Sequence, residues 1–213
     1  MSAPLRVGVL ASGRGSNLQA LLEAALAHAI PAEVVVVISD APNCRALERA
    51  RDAGVPAVAL RPADFPNATA FDEAVRAHLS EHEVGLVCLA GFRRIVGPTL
   101  LPPFAGLMLN IHPSLLPAFR GVEGLAVHRA ALAHGVKVSG CTVHFVTDEV
   151  DNGPIVIQRC VPVLPGDTPE ALAARVLAEE HRAYPDAVRL FAESRLEIRG
   201  RQVVIRPEEK KAP

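Results

Sequence analysis

Short runs of aliphatic and β-branched residues alternate with longer amphipathic segments along the first half of this chain. The chain opens with VGVLAS (7–12), NLQALLEAALAHA (17–29) and AEVVVVIS (32–39), and goes on with predicted helices near 43–53 and 68–80 and predicted strands near 57–60, 84–90 and 106–112. The five strands are apolar on both faces, which is typical of a parallel sheet with helices on each side. The sequence therefore predicts an α/β fold whose N-terminal half is mostly parallel and Rossmann-like.

The second half of the chain predicts hairpins around a long helix. After a helix at about 125–134, strands at 138–147 and 155–163 flank the acidic turn DEVDNGP, which indicates an antiparallel hairpin. A helix over 168–192 and a closing hairpin over 195–206 follow. Because no repeat and no Gly/Ser-rich linker divides the chain, we expect one domain over 1–213.

Composition narrows the classes of partner. The 22 Lys and Arg nearly cancel the 23 Asp and Glu, so no basic field attracts nucleic acid or anionic lipid. Cysteines 44, 88, 141 and 160 form no C-x-x-C pair, which predicts free, buried thiols and no zinc site. Residues 95–119 are uncharged, but their five prolines exclude a membrane helix, and no secretory signal is evident. We expect a cytoplasmic protein that binds small molecules.

The segment 11–17 joins the first strand to the first helix, where parallel sheets bind ligands. Its two glycines allow close backbone approach, the amides of the helix N-terminus favour a phosphate, and Ser16 and Asn17 add donors. The alternative is a tight turn with a Ser or Asn cap. Dinucleotide binding is disfavoured because Leu18 stands where G-x-G-x-x-G needs its third glycine.

Asn110 and His112 end the strand GLMLNIH and point to the same face, because side chains alternate with period two. An amide donor beside an imidazole suits acyl transfer, in which an oxyanion needs donors and a proton must move. Asp151, in the acidic turn, would face His112 and raise its pKa by favouring the imidazolium. A structural histidine and an ordinary Asp-Asn-Gly turn are the alternatives.

Glu180 falls in the middle of the apolar stripe of the last long helix. A carboxylate on a buried face must be paired or hydrogen-bonded. It either holds a structural arginine or meets a cationic group of a ligand, and the sequence alone leaves both open.

Four segments carry a specific resemblance that runs over almost the whole chain. They are SGRGSNLQALL (12–22), LAGFRRI (89–95), NIHPSLLPAFRG (110–121) and GCTVHFVTDEVDNGPIVIQ (140–158). In these segments the chain resembles the phosphoribosylglycinamide formyltransferase family. The resemblance implies transfer of a formyl group from 10-formyltetrahydrofolate, as co-substrate and without metal, to the amine of glycinamide ribonucleotide in purine synthesis.

Residue by residue, the resemblance implies a catalytic trio of Asn110, His112 and Asp151. It implies that Gly15, Ser16 and Asn17 hold the substrate phosphate and that Glu180 lies near the glycinamide. It also implies a folate pocket made of Phe92, Arg93, Arg94, Ile95, Val96, Asn110, Thr147, Asp148, Glu149, Val150 and Asp151. Residues 1–105 would then form a nucleotide-binding half, and 106–206 a folate-binding and catalytic half.

Three positions depart from the family pattern. No basic residue stands at 67–69, the stretch between Phe119 and His128 is about three residues longer than expected, and Leu177 replaces a polar side chain. In the same order, these departures affect a contact to the folate tail, the contacts of the substrate loop and one contact to the nucleotide.

Two related enzymes and one non-catalytic class are the alternatives. Formyltetrahydrofolate deformylase carries an N-terminal regulatory domain, whereas the first strand here starts by Leu5. Methionyl-tRNA formyltransferase adds a C-terminal RNA-binding domain, whereas seven residues follow Arg206. A nucleotide-binding module would use the 13–17 loop without needing Asn110, His112 and Asp151. A monomer and a homodimer both fit the sequence.

Overall fold

The computed structural model describes residues 3–208, which form a nine-stranded sheet with five α-helices. The strands are β1 (Leu5–Leu10), β2 (Ala32–Ser39), β3 (Ala57–Ala59), β4 (Leu86–Leu89), β5 (Met108–His112), β6 (Val138–Phe145), β7 (Ile155–Pro162), β8 (Leu196–Arg199) and β9 (Gln202–Ile205). The helices are α1 (Ser16–Leu26), α2 (Arg45–Asp52), α3 (Ala68–Glu81), α4 (Leu125–Ala133) and α5 (Pro169–Ala192). Short 3₁₀ turns lie at Pro62–Asp64 and Pro102–Phe104.

The strand order is β3-β2-β1-β4-β5-β6-β7-β9-β8. Strands β1 to β5 pair in parallel, whereas β6 runs antiparallel to both β5 and β7. Strands β8 and β9 form the closing hairpin, and β9 lies parallel to β7. The predicted α/β architecture and both predicted hairpins are confirmed.

Two helices begin at side-chain caps that the sequence provides. The Asn67 side chain accepts a hydrogen bond from the Ala70 amide at 2.9 Å, and Thr168 accepts one from the Ala171 amide at 3.1 Å. Each cap satisfies one of the amides that a helix N-terminus leaves without a partner. Pro169, in the first turn of α5, costs no hydrogen bond at that position.

Apolar side chains fill both sides of the sheet. One cluster packs under α1, α2, α4 and α5, and the other packs under α3 and the chain that follows β4. Tyr184 on α5 is fully buried, and its hydroxyl lies 3.0 Å from the carbonyl oxygens of both Leu89 and Leu109. This contact ties the long helix to the two central strands that end at the candidate site.

Three of the four cysteines are buried as expected, but Cys160 is exposed. Cys160 lies on β7, whose alternate residues face solvent, so an apolar sequence neighbourhood did not mean burial there. Burial raises the pKa of the Cys88 and Cys141 thiols to about 12.

The uncharged stretch 95–119 forms a loop, a 3₁₀ turn and β5. Between residues 3 and 208, none of the helices combines the length and the apolar character needed to cross a bilayer.

Candidate active site

Asn110 and His112 lie on β5 and face the same side of the sheet, as period two predicts. The Asn110 amide nitrogen is 3.1 Å from Nε2 of His144, which pairs with it across the sheet. His144 Nδ1 lies 2.9 Å from the Phe145 carbonyl oxygen, so it carries the proton and leaves Nε2 to accept from the amide. This chain of bonds fixes the orientation of Asn110.

Asp151 completes the trio from the turn after β6. Its Oδ2 is 3.4 Å from His112 Nδ1, and its Oδ1 is 3.7 Å from His144 Nε2. The last residue of β6, Phe145, pairs with Leu109 rather than with His112. The turn that follows β6 therefore has to fold back along β5 to bring Asp151 to His112. Asp151 adopts φ +51, a left-handed conformation that Asp tolerates better than most residues. The Gly121 amide also donates to Asp151 Oδ2 at 2.9 Å.

The pKa values of this pair shift in the same direction for different reasons. Burial lowers the pKa of His112 and outweighs the Asp151 charge and the Phe119 carbonyl, which both raise it. Asp151 therefore acts on the His112 pKa in the predicted direction, but burial makes the net shift a decrease. For Asp151, burial raises the pKa, but the neighbouring His144 ring, the hydrogen bond from the Gly121 amide and the His112 charge outweigh it and lower the pKa.

Sequence reasoning missed two residues that support the trio. His144 lies opposite Asn110, and the buried Thr142 lies opposite His112. The Thr142 hydroxyl donates to the Ser114 carbonyl at 2.7 Å and accepts from the Leu116 amide at 3.0 Å, which holds the chain just after His112. Cross-strand pairing with β5 was the signal, because both residues alternate on one face of β6.

The loop 12–17 leads from β1 into α1. Gly15 has φ +68, and a Cβ there would lie 2.7 Å from the Ala46 Cα of α2. The glycine is therefore required by helix packing as well as by backbone conformation. Helix α1 begins at Ser16, one residue before the predicted start, and its N-cap is Gly15 rather than a Ser or Asn side chain.

Asn17 does not point freely to a ligand. Its amide nitrogen donates to Glu180 Oε2 at 2.7 Å, so this donor is engaged by the protein rather than by a phosphate. Glu180 is 7% exposed, and burial raises its pKa, opposed by the Asn17 bond and the Arg14 charge. The hydrogen-bond partner of the buried carboxylate is thus the Asn17 amide in the first turn of α1, rather than a structural arginine.

A basic crevice of about 460 Å³ opens beside this loop. Its walls are Ser12, Gly13, Arg14, Ala41, Pro42, Asn43, Cys44, Arg45 and Arg93. Three of these residues are arginines and none is acidic, so the crevice suits an anion. A larger groove of about 660 Å³ between α1 and α5 is compensated in charge, because Arg159 pairs with Asp186 at 2.6 Å there.

Arg93 is placed differently from its neighbours. Its side chain faces Gly13 and the basic crevice, rather than the folate side on which the sequence placed it. Its backbone amide donates to Ser12 Oγ at 3.0 Å. Arg93 therefore connects the loop 12–17 with the segment after β4.

The segment 91–97, which we call the β4 loop, follows the strand end beside Asn110. Phe92 and Val96 pack on the core, whereas Ile95 is 74% exposed. Among residues 3–208, no backbone hydrogen-bond partner is found for residues 94–96. The middle of the loop therefore presents free backbone groups and an apolar side chain.

The acidic turn is held by its own polar groups. The Thr147 hydroxyl donates to the Glu149 carbonyl at 3.2 Å, and the Glu149 amide donates to Asp148 at 3.1 Å. Val150 is 48% exposed. The structure brings Asp151 of this turn to within 3.4 Å of His112 and 3.7 Å of His144. Over the described range 3–208, no cluster of three or more His, Cys, Asp or Glu residues fits a metal ion.

The doubly wound sheet, with an amide, an imidazole and a carboxylate at its strand ends, matches a known class of enzymes. The formyl transferase family model matches residues 5–188, and the chain belongs to this family.

Within this family, the chain is similar to proteins of one particular kind. The chain is 48% identical over 200 residues to the phosphoribosylglycinamide formyltransferase of Mycobacterium tuberculosis, which covers 94% of this chain and 91% of that protein. A crystal structure of glycinamide ribonucleotide transformylase 1 from Symbiobacterium toebii superposes with a TM-score of 0.93 at 56% identity, covering 97% of this chain and 96% of that one.

Much longer proteins also contain this region. The chain is 45% identical over 193 residues to the trifunctional purine biosynthetic protein adenosine-3 of Drosophila pseudoobscura pseudoobscura. That match covers 90% of this chain but spans only 14% of the length of that relative.

Proposed function

We propose that this protein transfers the formyl group of 10-formyltetrahydrofolate to the primary amine of glycinamide ribonucleotide in purine synthesis. The observation that carries the proposal is the convergence of Asn110, His112 and Asp151 beside the β4 loop. Family membership and the relatives described above support it. The basic crevice next to the loop 12–17 suits the phosphate of the substrate.

The catalytic proposal follows from the geometry of the trio. As the amine attacks the formyl carbon, negative charge develops on the formyl oxygen, and the Asn110 amide and the His112 ring can donate to it. The new C–N bond forms as the bond to the folate nitrogen breaks. The attacking amine loses one proton and the leaving nitrogen gains one, so the transfer needs no redox partner. Asp151 lies where it can hold the proton in transit or stabilise a protonated His112.

The β4 loop fits the flat, polar ring of a folate. Its residues 94–96 leave backbone donors and acceptors free, and Ile95 offers an apolar surface. The folate brings the activated one-carbon group, so the protein has to supply binding, orientation and electrostatics. We place the folate against the β4 loop, Asn110 and the acidic turn 147–151.

We place the nucleotide against the loop 13–17 and Glu180. The backbone amides at the start of α1 and the arginines of the basic crevice favour its phosphate. The carboxylate of Glu180 faces this side through Asn17 and suits the amine-bearing end.

The free thiols of the four cysteines fit a reducing compartment such as the cytoplasm, and both a monomer and a homodimer can carry a site built within one chain.

An assay with labelled 10-formyltetrahydrofolate tests the proposal directly. We expect label to appear in formylglycinamide ribonucleotide, and to appear as formate only slowly when the nucleotide is omitted. Formate release that does not depend on the nucleotide would instead identify a deformylase. Label in methionyl-tRNA would identify a tRNA formyltransferase, and absence of all three products would leave a non-catalytic binding module.

A further inference from the structure

A buried carboxylate on α3 lies under the β4 loop. Asp72 is only 6% exposed and is flanked by Phe71, which is 1% exposed, in the apolar cluster on that side of the sheet. Burial raises the Asp72 pKa, while a hydrogen bond from the Gly97 backbone and the Arg94 charge oppose this increase. A charged group in such a place needs partners, and both partners belong to the β4 loop.

Gly97 explains why this contact is close. Its φ is not in the left-handed region, so its backbone conformation alone does not require glycine. A Cβ at this position would overlap Oδ2 of Asp72. The absence of a side chain at 97 therefore allows the carboxylate to approach the backbone of the loop.

A second contact joins α3 to the same loop. The Arg94 guanidinium lies 4.6 Å from the centre of the Phe71 ring, a cation–π geometry. At the other end of the loop, the Arg93 amide donates to Ser12 Oγ. The loop is thus held at Arg93 and closely approached by Asp72 at Gly97. Within residues 3–208, the backbone of 94–96 between these points has no backbone hydrogen-bond partner.

We propose that Asp72 is a positioning residue for folate binding: by holding Gly97 and facing Arg94, it fixes the β4 loop so that residues 94–96 meet the folate ring. This inference rests on the proposed function. Asp72 does not touch the reacting atoms, so its contribution acts through the loop. Preorganisation of a binding loop improves affinity by removing the cost of ordering it during binding.

Four single variants and one double variant test the inference. Asp72→Ala removes the carboxylate, Asp72→Asn keeps its volume without the charge, and Gly97→Ala pushes the carboxylate away from the loop. Glu73→Gln, at the exposed neighbouring position on α3, is the matched control. Each variant is assayed well below its melting temperature for kcat, for the KM of each substrate and for the Kd of a non-reactive folate analogue.

For Asp72→Ala and Gly97→Ala we expect the folate KM and the analogue Kd to rise on the order of tenfold, while the nucleotide KM changes less than about twofold. Asp72→Asn should be intermediate, and Glu73→Gln should resemble the wild type. The double variant Asp72→Ala/Gly97→Ala should bind folate no worse than the poorer single variant, because each change removes the same contact.

Several outcomes would overturn the inference. Wild-type analogue affinity in Asp72→Ala, or an equal increase in both KM values, would make Asp72 a residue of general structural importance. If Asp72→Ala does not fold, unchanged folate affinity in both Asp72→Asn and Gly97→Ala would have the same meaning. If the wild type itself binds no folate analogue, the proposed function fails, and the inference fails with it.

Discussion

Both ring nitrogens of His112 face acceptors. Nε2 lies 3.2 Å from the Phe119 carbonyl oxygen, and Nδ1 lies 3.4 Å from the Asp151 carboxylate. Only the doubly protonated ring can donate to both, yet burial lowers its pKa. In the free protein His112 is therefore mostly neutral at pH 7. The two acceptors beside its ring nitrogens are nevertheless in position to stabilise the imidazolium that proton transfer creates.

The first prediction concerns this pair. Removing the His112 side chain with His112→Ala should lower kcat on the order of 10² to 10⁴, with little change in substrate Kd. Asp151→Asn removes the charge that raises the His112 pKa, so this pKa should fall further. The protonated ring is then lost at lower pH, and the limb of the rate profile that reports His112 should move to lower pH. NMR titration of the ring in both proteins measures the shift, and an identical pKa would remove Asp151 from the trio.

The second prediction concerns Glu180, which is buried and bonded to Asn17. Glu180→Gln keeps the volume and removes the charge, so binding of the amine-bearing nucleotide should weaken on the order of tenfold while folate-analogue binding changes little. Glu179→Gln, at the neighbouring position paired with Arg182, is the control. Titration calorimetry measures both ligands. A large loss of thermal stability with unchanged nucleotide affinity would show that Glu180 is only a structural partner of Asn17.

At the scale of elements, the loop before α1 contains two glycines with different roles. A Cβ at Gly15 would contact Ala46 of α2, and φ there is +68, whereas a Cβ at Gly13 would meet only the end of the Arg93 side chain at 3.9 Å. Any side chain at Gly15 would therefore disturb the packing against α2 as well as block a ligand. A substitution at Gly15 cannot test ligand binding alone.

The third prediction compares these glycines. Gly15→Ala should lower the free energy of unfolding by about 1 to 3 kcal/mol, through backbone strain and overlap with α2. Gly13→Ala should leave unfolding nearly unchanged, and any effect should fall on nucleotide affinity. Urea denaturation followed by circular dichroism gives the first quantity, and titration gives the second. Equal stability of the two variants would contradict this reading of the loop.

The order of helices and strands could be predicted because each of them shows its own hydrophobic period in the sequence. Strands β1 to β5 are apolar on both faces, and the acidic turn and the Arg-Gly of the last hairpin mark reversals of the chain. The common face of Asn110 and His112 follows from the same geometry. Strand geometry thus predicts the two residues of the trio that β5 contains, whereas the resemblance to a known family implied the third, Asp151.

What the sequence does not reveal depends on contacts between distant segments. Asp151 reaches His112 only because its turn folds back through a left-handed residue, and Arg93 turns toward Gly13 because Ser12 holds its amide. Burial, which is a property of the folded chain, outweighs the predicted effect of Asp151 on the His112 pKa. For the same reason, the contact between Asp72 and Gly97 leaves no local pattern.

At the scale of the whole molecule, burial lowers the pKa of three histidines, His112, His128 and His181, with Asp151 opposing it at His112 and Glu23 opposing it at His181. In the unfolded chain each has an ordinary pKa near 6.5. As pH falls below that value, the unfolded state takes up protons that the folded state resists. The stability that the neutral rings provide is therefore present above about pH 6.5 and is lost as pH falls toward the folded-state values.

The fourth prediction is that the melting temperature falls as pH is lowered from 7 to 5, with each fully shifted histidine contributing a slope of up to about 1.4 kcal/mol per pH unit. His128 offers the cleanest test, since it is 4% exposed and its buried Nδ1 has no partner among residues 3–208. His128→Leu should flatten the pH dependence, whereas His134→Gln, at the exposed end of α4, should leave the slope unchanged. Calorimetric melts at several pH values measure both slopes. If His128→Leu melts with the wild-type pH dependence, acid sensitivity does not arise from this buried ring, and the proton uptake must be assigned to His112 or His181.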